Sequence, residues 1–325
     1  MPNNITNAFF DMTGFTVAVP EPEKIKVRNN LHKITVDPEY KKKYRPKYYS
    51  DTSNGSNRRY GNLYIFDIPN GTEAPLKAII QIFPRNKNHN FANVQINPSK
   101  IGIIGESEVR KLLINIFDIV TARRIYYEAR LVRLDTTVDS YNPYDETYMY
   151  MERAQVSKII RQNDGSIESQ ITGSNNSDIR ITQYDKDAEQ THKGQVINSN
   201  WQRLEIRMRD LGFSMADIPE KLENNFKKLC FYTSDFMSDD YFDKNFLTNV
   251  YDNGINSALH QVDNNMRKRY LRRLTHYQCD PFRLERLSID HGVRSLSFLQ
   301  SKKYKPSKGI KRTRSFSQQS FRHKK

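Results

Sequence analysis

The chain has 325 residues and carries 52 Lys and Arg against 37 Asp and Glu, a formal net charge of +15. That length accommodates one large domain or two ordinary ones, and so basic a balance selects a polyanionic partner, nucleic acid first and an anionic membrane surface second. The sequence shows no run of about 18 apolar residues and no basic-then-apolar leader, so no membrane span, secretory signal or stable membrane association is expected, and the expected compartment is the cytoplasm.

Cys230 and Cys279 stand far apart, which offers neither a disulfide framework nor a zinc ligand set. None of the seven histidines stands one, three or four residues from another, which argues against a His-based zinc or two-His nickase site. The 19 Tyr and 17 Phe supply core volume that a hydrophobic content of 37% would otherwise lack.

Along the chain, residues 1–60 read as short extended pieces followed by a mobile basic loop over 41–60. Strands are predicted over 62–68 and 76–83, with a turn at Asn70-Gly71 between them. The spacing of Val109, Leu112, Leu113, Ile116, Ile119 and Val120 predicts an amphipathic helix over 106–125, with Arg110, Lys111, Arg123 and Arg124 near its other face. Extended runs follow over 128–139, 178–184 and 201–209, with a helix expected near 146–160.

After Asp210 the pattern turns helical, over 215–231, 241–262, 264–277 and 281–291. Residues 301–325 hold ten Lys or Arg and no acid and are expected to be a disordered basic tail, leaving the remainder at +5. The expected fold is α+β: a central antiparallel sheet with packing helices, then a mostly helical C-terminal region and the tail. The expected division is 1–60 for N-terminal strands and loop, 61–210 for the chemistry, 211–300 for helices and 301–325 for the tail.

Three predicted strands each have one charged face, because strand side chains alternate. In RLDTTVD, Arg133, Asp135 and Thr137 share it; in DIRITQYDK, Arg180, Thr182, Tyr184 and, if the strand continues, Lys186 do. In WQRLEIRMR, Arg203, Glu205, Arg207 and Arg209 alternate with Leu204, Ile206 and Met208. On one sheet these faces would bring together a tyrosine nucleophile, carboxylates and cations, the ingredients of phosphoryl transfer from DNA to a hydroxyl. Asp135 and Glu205 would hold Mg²⁺ or Mn²⁺, with Asp139 or Asp178 completing or supporting the coordination. The blander alternatives are a structural strand tyrosine and a solvated face of cross-strand ion pairs.

RLDTTVD, TGSNNSDIRITQYDKDAEQ and WQRLEIRMRD resemble, in order and spacing, segments of the Rep_trans-type plasmid replication initiators and of the gene II-type replication endonucleases of filamentous phages. The matched residues are Arg133 and Asp135, Gly173 to Ser177, Tyr184, Lys186 and Glu189, and Arg203 and Glu205, with INPSKIGIIG upstream resembling the phage N-P-x-K segment. Gln183 stands where those proteins more often carry an aliphatic or aromatic residue.

The resemblance implies a rolling-circle replication initiator that nicks one strand at an origin, single-stranded or cruciform at the nick site. Tyr184 would form a 5′-phosphotyrosine and free a 3′-OH primer, with Lys186 as helper. It further implies a host helicase as a partner, and a homodimer is allowed. Arg133, Arg180, Arg203 and Arg207 would contact DNA from the strands. Arg267 and Arg269, with Lys268, Arg272 and Arg273, would do so from a helix that could read duplex. Two alternatives remain: a non-enzymatic nucleic-acid-binding protein, and a peripheral membrane protein anchored by its tail.

Overall fold

A computed structural model of the chain describes residues 6–50, 60–72, 75–84, 90–141, 144, 146–192, 194, 200–222 and 225–304. It opens with β1 (Thr6–Asn7) and β2 (Phe9–Ala18), the latter rich in the aromatic and β-branched residues that fit a pleated surface. Helix α1 (Glu21–Val36) buries Val27, Leu31 and Ile34, and α2 (Pro38–Tyr44) is capped by the Asp37 carboxylate, which accepts from the Glu39 and Tyr40 N–H groups. The meander β3 (Lys47–Ser50), β4 (Tyr60–Ile68), β5 (Leu76–Pro84) and β6 (Phe91–Ile96) follows.

The first 60 residues are therefore more regular than their sequence led us to expect. The 41–60 segment begins inside α2 and passes through β3, while 51–59 lie outside the described residues. Val27, Leu31 and Ile34 stand at i, i+4 and i+7, the helical period, and seat α1, but the many charges between them mask that stripe in the sequence.

The single helix expected over 106–125 is two, α3 (Gly102–Phe117) and α4 (Ile119–Glu128). Asp118 takes φ +73° between them and caps α4 by accepting from the Val120 and Thr121 N–H groups. Next come β7 (Arg130–Tyr141), β8 (Thr147–Met151), β9 (Ser157–Arg161), β10 (Ile167–Thr172), β11 (Ile179–Asp185), α5 (Lys186–His192) and β12 (Trp201–Arg209). The helix expected near 146–160 is thus two strands. The TYMYM run of β8 has the β-rich aromatic composition that arbitrates short apolar stretches.

The remainder holds α6 (Ile218–Lys221), β13 (Leu229–Thr233), α7 (Lys244–Asn253), α8 (Ile255–Gln261), α9 (Asn264–Leu274), β14 (Gln278–Cys279), β15 (Leu287–Ser288) and α10 (Asp290–Ser295). Of the expected helices, 215–231 contracts to α6 and ends in β13, and 281–291 supplies only β15 and the start of α10. The 241–262 helix breaks at Gly254, where φ is +85° and an added Cβ would lie 2.9 Å from Ser157 Oγ.

The architecture is α+β, built on a ten-stranded antiparallel sheet ordered β3-β4-β5-β6-β2-β7-β12-β11-β10-β9. Because β2 pairs with both β6 and β7, a cut at residue 60 would remove the central strand. Phe10, Phe15, Leu134, Val138, Leu204 and Ile206 belong to one continuous core with the buried faces of α1, α3 and α4.

Strands β8, β13 and β14 form a second sheet, and α7, α8 and α9 pack on it around Tyr148, Tyr232, Phe236, Phe246 and Tyr270. Asn256 of α8 fastens this helical layer to β8, donating to the Met151 carbonyl at 2.7 Å and accepting from its N–H at 3.1 Å. Among the described residues no helix is long and apolar enough to cross a membrane. The basic tail beyond residue 304 lies outside the described residues.

Candidate active site on the sheet face

The three charged strand faces inferred from the sequence meet on adjacent strands, β7, β12 and β11. Their registers set up rungs across the sheet: Asp139, Arg203 and Tyr184; then Thr137, Glu205 and Thr182; then Asp135, Arg207 and Arg180. Residues directly opposite share a face, and successive rungs are about 7 Å apart, so one side chain of each rung neighbours the next.

In the first rung, Arg203 donates from Nε and Nη2 to the two Asp139 oxygens at 2.6 and 2.7 Å. Its guanidinium also lies near enough to the Tyr184 hydroxyl to favour its ionised form, and 5.2 Å from the Phe9 ring centroid. Burial opposes the Arg203 charge, but Asp139 and Tyr184 outweigh it and hold the pKa above its ordinary value. Burial pushes the Tyr184 hydroxyl up to about 12, against the pull of Arg203.

Lys186 was expected on the strand face if the strand continued. The strand stops at Asp185, and Lys186 instead opens α5. Its ammonium nevertheless sits 5.6 Å from the Tyr184 ring centroid, nearly buried, and donates to Glu189.

One rung further, Glu205 is half-buried and its pKa is raised, first by burial and then by the neighbouring Asp135 carboxylate. Asp135 is 2% exposed and takes Arg133 from its own strand, Nε to Oδ1 at 2.9 Å, and Arg207 from β12 at 3.4 Å. Arg207 also donates to Glu205 at 3.2 Å. Arg180 donates to Asn175 and has its pKa lowered by burial and by the nearby Arg207 and Arg209. Thr137 Oγ1 and Arg180 Nε are buried without a hydrogen-bond partner among the described residues.

The structure also adds a third acid that the sequence reading passed over. Asp11 interrupts the apolar β2 strand at a register shift, lies close enough to raise the Glu205 pKa, and accepts from Asn97 at 3.0 Å and Ser99 at 3.2 Å. That contact ties the NPSK segment to the site's edge. A carboxylate inside FFDMTGF was the available signal, and the segment was read only as an extended piece.

Asp135 and Glu205 are hard oxygen donors of the kind Mg²⁺ and Mn²⁺ prefer. Among the described residues no three His, Cys, Asp or Glu side chains are gathered into a metal-ligand set. Both Asp135 oxygens are engaged by Arg133 and Arg207, so this pair could take a divalent ion only in exchange for an arginine contact, with phosphate or water completing the shell. Asp139 is likewise engaged through both oxygens, by Arg203.

The Gly173 turn places β11. Its φ is +91°, and an added Cβ would lie 2.7 Å from the Ile179 carbonyl oxygen. Gln183, on the opposite side of β11 from Tyr184, accepts from Gln170 at 3.1 Å and donates to Thr147 at 3.2 Å, so a polar residue there is satisfied by β10 and β8.

The two predicted helix cations part ways. Arg267 donates to the Leu259 carbonyl at 2.8 Å and so closes the end of α8, while Arg269 is exposed with Lys268 and Arg272 on α9. Arg273 is bound to Asp239 at 2.6 Å.

No protein-family model matches the chain, and no curated protein is significantly similar to it. A solved structure of a rolling circle replication initiator protein from Geobacillus stearothermophilus is similar, at 17% sequence identity over 75% of this chain and 96% of that one, with a TM-score of 0.36.

Proposed function

We propose that the chain is a DNA-nicking replication initiator whose chemistry is carried by the β7, β12 and β11 face. The observation that carries the proposal is the registered rung of Tyr184 and Arg203 one step from the Glu205 and Asp135 pair. The Tyr184 oxygen forms a bond to the scissile phosphorus as the bond from phosphorus to the 3′ oxygen breaks. The phenol proton is lost and the 3′ oxygen leaves as a hydroxyl, giving a 5′-phosphotyrosine and a primer end.

Arg203 lies beside the Tyr184 hydroxyl and would stabilise negative charge developing on it, and the Lys186 ammonium adds a cation beside the ring. Arg180 and Arg207 supply positive charge where a phosphate would lie. A divalent ion held by Asp135 and Glu205 would offset phosphate charge. Exposed Lys268, Arg269 and Arg272 on α9 would contribute duplex contacts.

A second reading has its own support. Arg133, Arg203 and Arg207 already neutralise the acids of this face, as an ion-paired platform for binding without cleavage would require.

The deciding experiment incubates the protein with supercoiled DNA carrying the inverted repeat in or beside its own gene, with Mg²⁺ or Mn²⁺. Wild-type protein is expected to yield a nicked product with protein on the 5′ end, and Tyr184→Phe to lose the linkage by about 10³-fold or more. A Tyr184→Phe protein that still forms the linkage would sink the nucleophile assignment. Salt-sensitive binding with no cleavage in either metal would leave the binding platform standing instead.

A further inference from the structure

The outer faces of α3 and α4 depart from the amphipathic pattern that seats them. Ile103, Ile104, Ile114, Ile119 and Val120 are all exposed there, Ile103 at 88%. A groove of about 620 Å³ runs between these helices and residues 297–303. Leu113, Ile114, Ile119 and Leu299 line it with aliphatic surface, while Arg110, Arg123, Lys302 and Lys303 line it with cations. Among the described residues no acid lines this groove, and Glu106 is the one acid lining its continuation along α3, where Lys111 adds a further cation. Tyr304 secures the outer edge, 5.5 Å from the Tyr127 ring and donating to Glu128.

The chain's own segments suit the groove poorly. Residues 305–325 carry eight Lys or Arg and no acid, so they would bring like charge to a cationic rim. A second copy docked by a two-fold axis would set the same four cations against themselves. Nucleic acid would satisfy the rim, but the described lining of the main groove has no aromatic ring, and Phe298, which lines its continuation, is buried and offers no face on which a base could stack.

We propose that this groove receives an acidic amphipathic helix of a partner protein. Leu, Ile or Phe at positions i, i+4 and i+7 would enter the aliphatic floor, and flanking Asp or Glu would meet Arg110, Arg123, Lys302 and Lys303. The proposal does not depend on the nicking chemistry, because none of these residues belongs to the sheet face.

The test is a selection from a helix-stapled peptide library on the full-length protein, followed by fluorescence anisotropy with the enriched peptides. Enriched sequences should carry Asp or Glu beside helically spaced apolar residues and lose about tenfold or more in affinity on R110E/R123E protein. A Lys-for-Glu version of the same peptide should then bind the double variant better than it binds wild type. All these substitutions are at surface positions, and an unchanged melting temperature confirms that the fold survives them.

Absence of enrichment, enrichment without acids, or equal affinity for the double variant would overturn the proposal. So would binding that appears only after deletion of 305–325, which would assign the groove to the tail. A dimer in sedimentation that Ile119→Asp dissociates would assign it to a second copy. Competition by single-stranded DNA with the same variant dependence would assign it to nucleic acid.

Discussion

The sheet face and the helical layer over the second core use the same residue types, Asp, Arg and Tyr, in different electrostatic conditions. In the helical layer Asp239 accepts from Arg273 at 2.6 Å and Tyr277 at 2.8 Å and is held at about 2, and Asp243 is held below the usual carboxylate range by Tyr270 and the Phe246 N–H. On the sheet face the shifts are mixed: Glu205 is raised and Arg180 lowered, against their charged forms, while Arg133 and Arg203 are raised in favour of theirs, and Tyr184 stands at about 12 as Tyr148 does in the second core, both through burial. The first arrangement places charges where they stabilise the fold. The second adds to such pairs two groups, Glu205 and Arg180, whose charges burial and like-charged neighbours penalise, a pattern expected where a ligand or a reaction supplies the compensation.

The largest test of this contrast is Asp139→Asn. Arg203 is 9% exposed and would lose a bidentate carboxylate, leaving a buried cation paired with Tyr184 alone. A fully buried pair broken from one side costs more, but Asp139 keeps 29% of its side-chain surface exposed, so about 2 kcal/mol and a fall of several degrees in melting temperature are expected. If the melting temperature holds, the Asp139–Arg203 pair is a solvated one, and the sheet face has no charge pair that stabilises the fold as Arg273–Asp239 does in the helical layer.

Glu205→Gln should move stability the other way. A carboxyl whose folded pKa lies above its value of 4.5 elsewhere contributes stability below that pH and loses it as pH rises through the raised pKa. At pH 7 the Gln protein should therefore melt slightly higher than wild type, by roughly 1–2 °C, with the gain disappearing in acid. Added Mg²⁺ should raise the wild-type melting temperature and leave the variant unmoved. Wild-type protein that melts at the same temperature with and without Mg²⁺ would remove Glu205 from the metal proposal.

The rungs of the site were legible because β7, β11 and β12 obey strict alternation, so Asp135, Tyr184, Glu205 and their arginines could be assigned to faces before any pairing was known. Pairing order was not legible. Nothing local in FFDMTGFTVA says that it enters between β6 and β7, and so Asp11 was not connected to Glu205. Whether Lys186 belongs to the strand stays open in the sequence, because hydrophobic periodicity cannot locate the residue at which a strand gives way to a helix. The aromatic, β-favouring composition of TYMYM outweighs the helix expected over β8 and β9, while SKIIR is too short and too polar to show a period and is identified as a strand only by its pairing with β10.

Asp239→Asn is the smallest expected effect and the cleanest control for the relaxed region. The unfolded carboxyl titrates near 3.8 and the folded one near 2, so the stability that Asp239 adds is complete above the first value and is lost as pH falls through the second. Removing the charge should lower the melting temperature at pH 7 by less than Asp139→Asn does, because the partner left behind, Arg273, keeps 39% of its side-chain surface exposed against 11% for Arg203 and is rehydrated more readily. The deficit should stay constant from pH 7 down to about pH 5 and close toward pH 2. Its acid dependence is opposite in sign to that of Glu205→Gln, which costs nothing in acid and gains at neutral pH. Parallel melting curves for the two variants across this range would show that Glu205 is as well compensated as Asp239, and the sheet face would then be an ordinary paired surface.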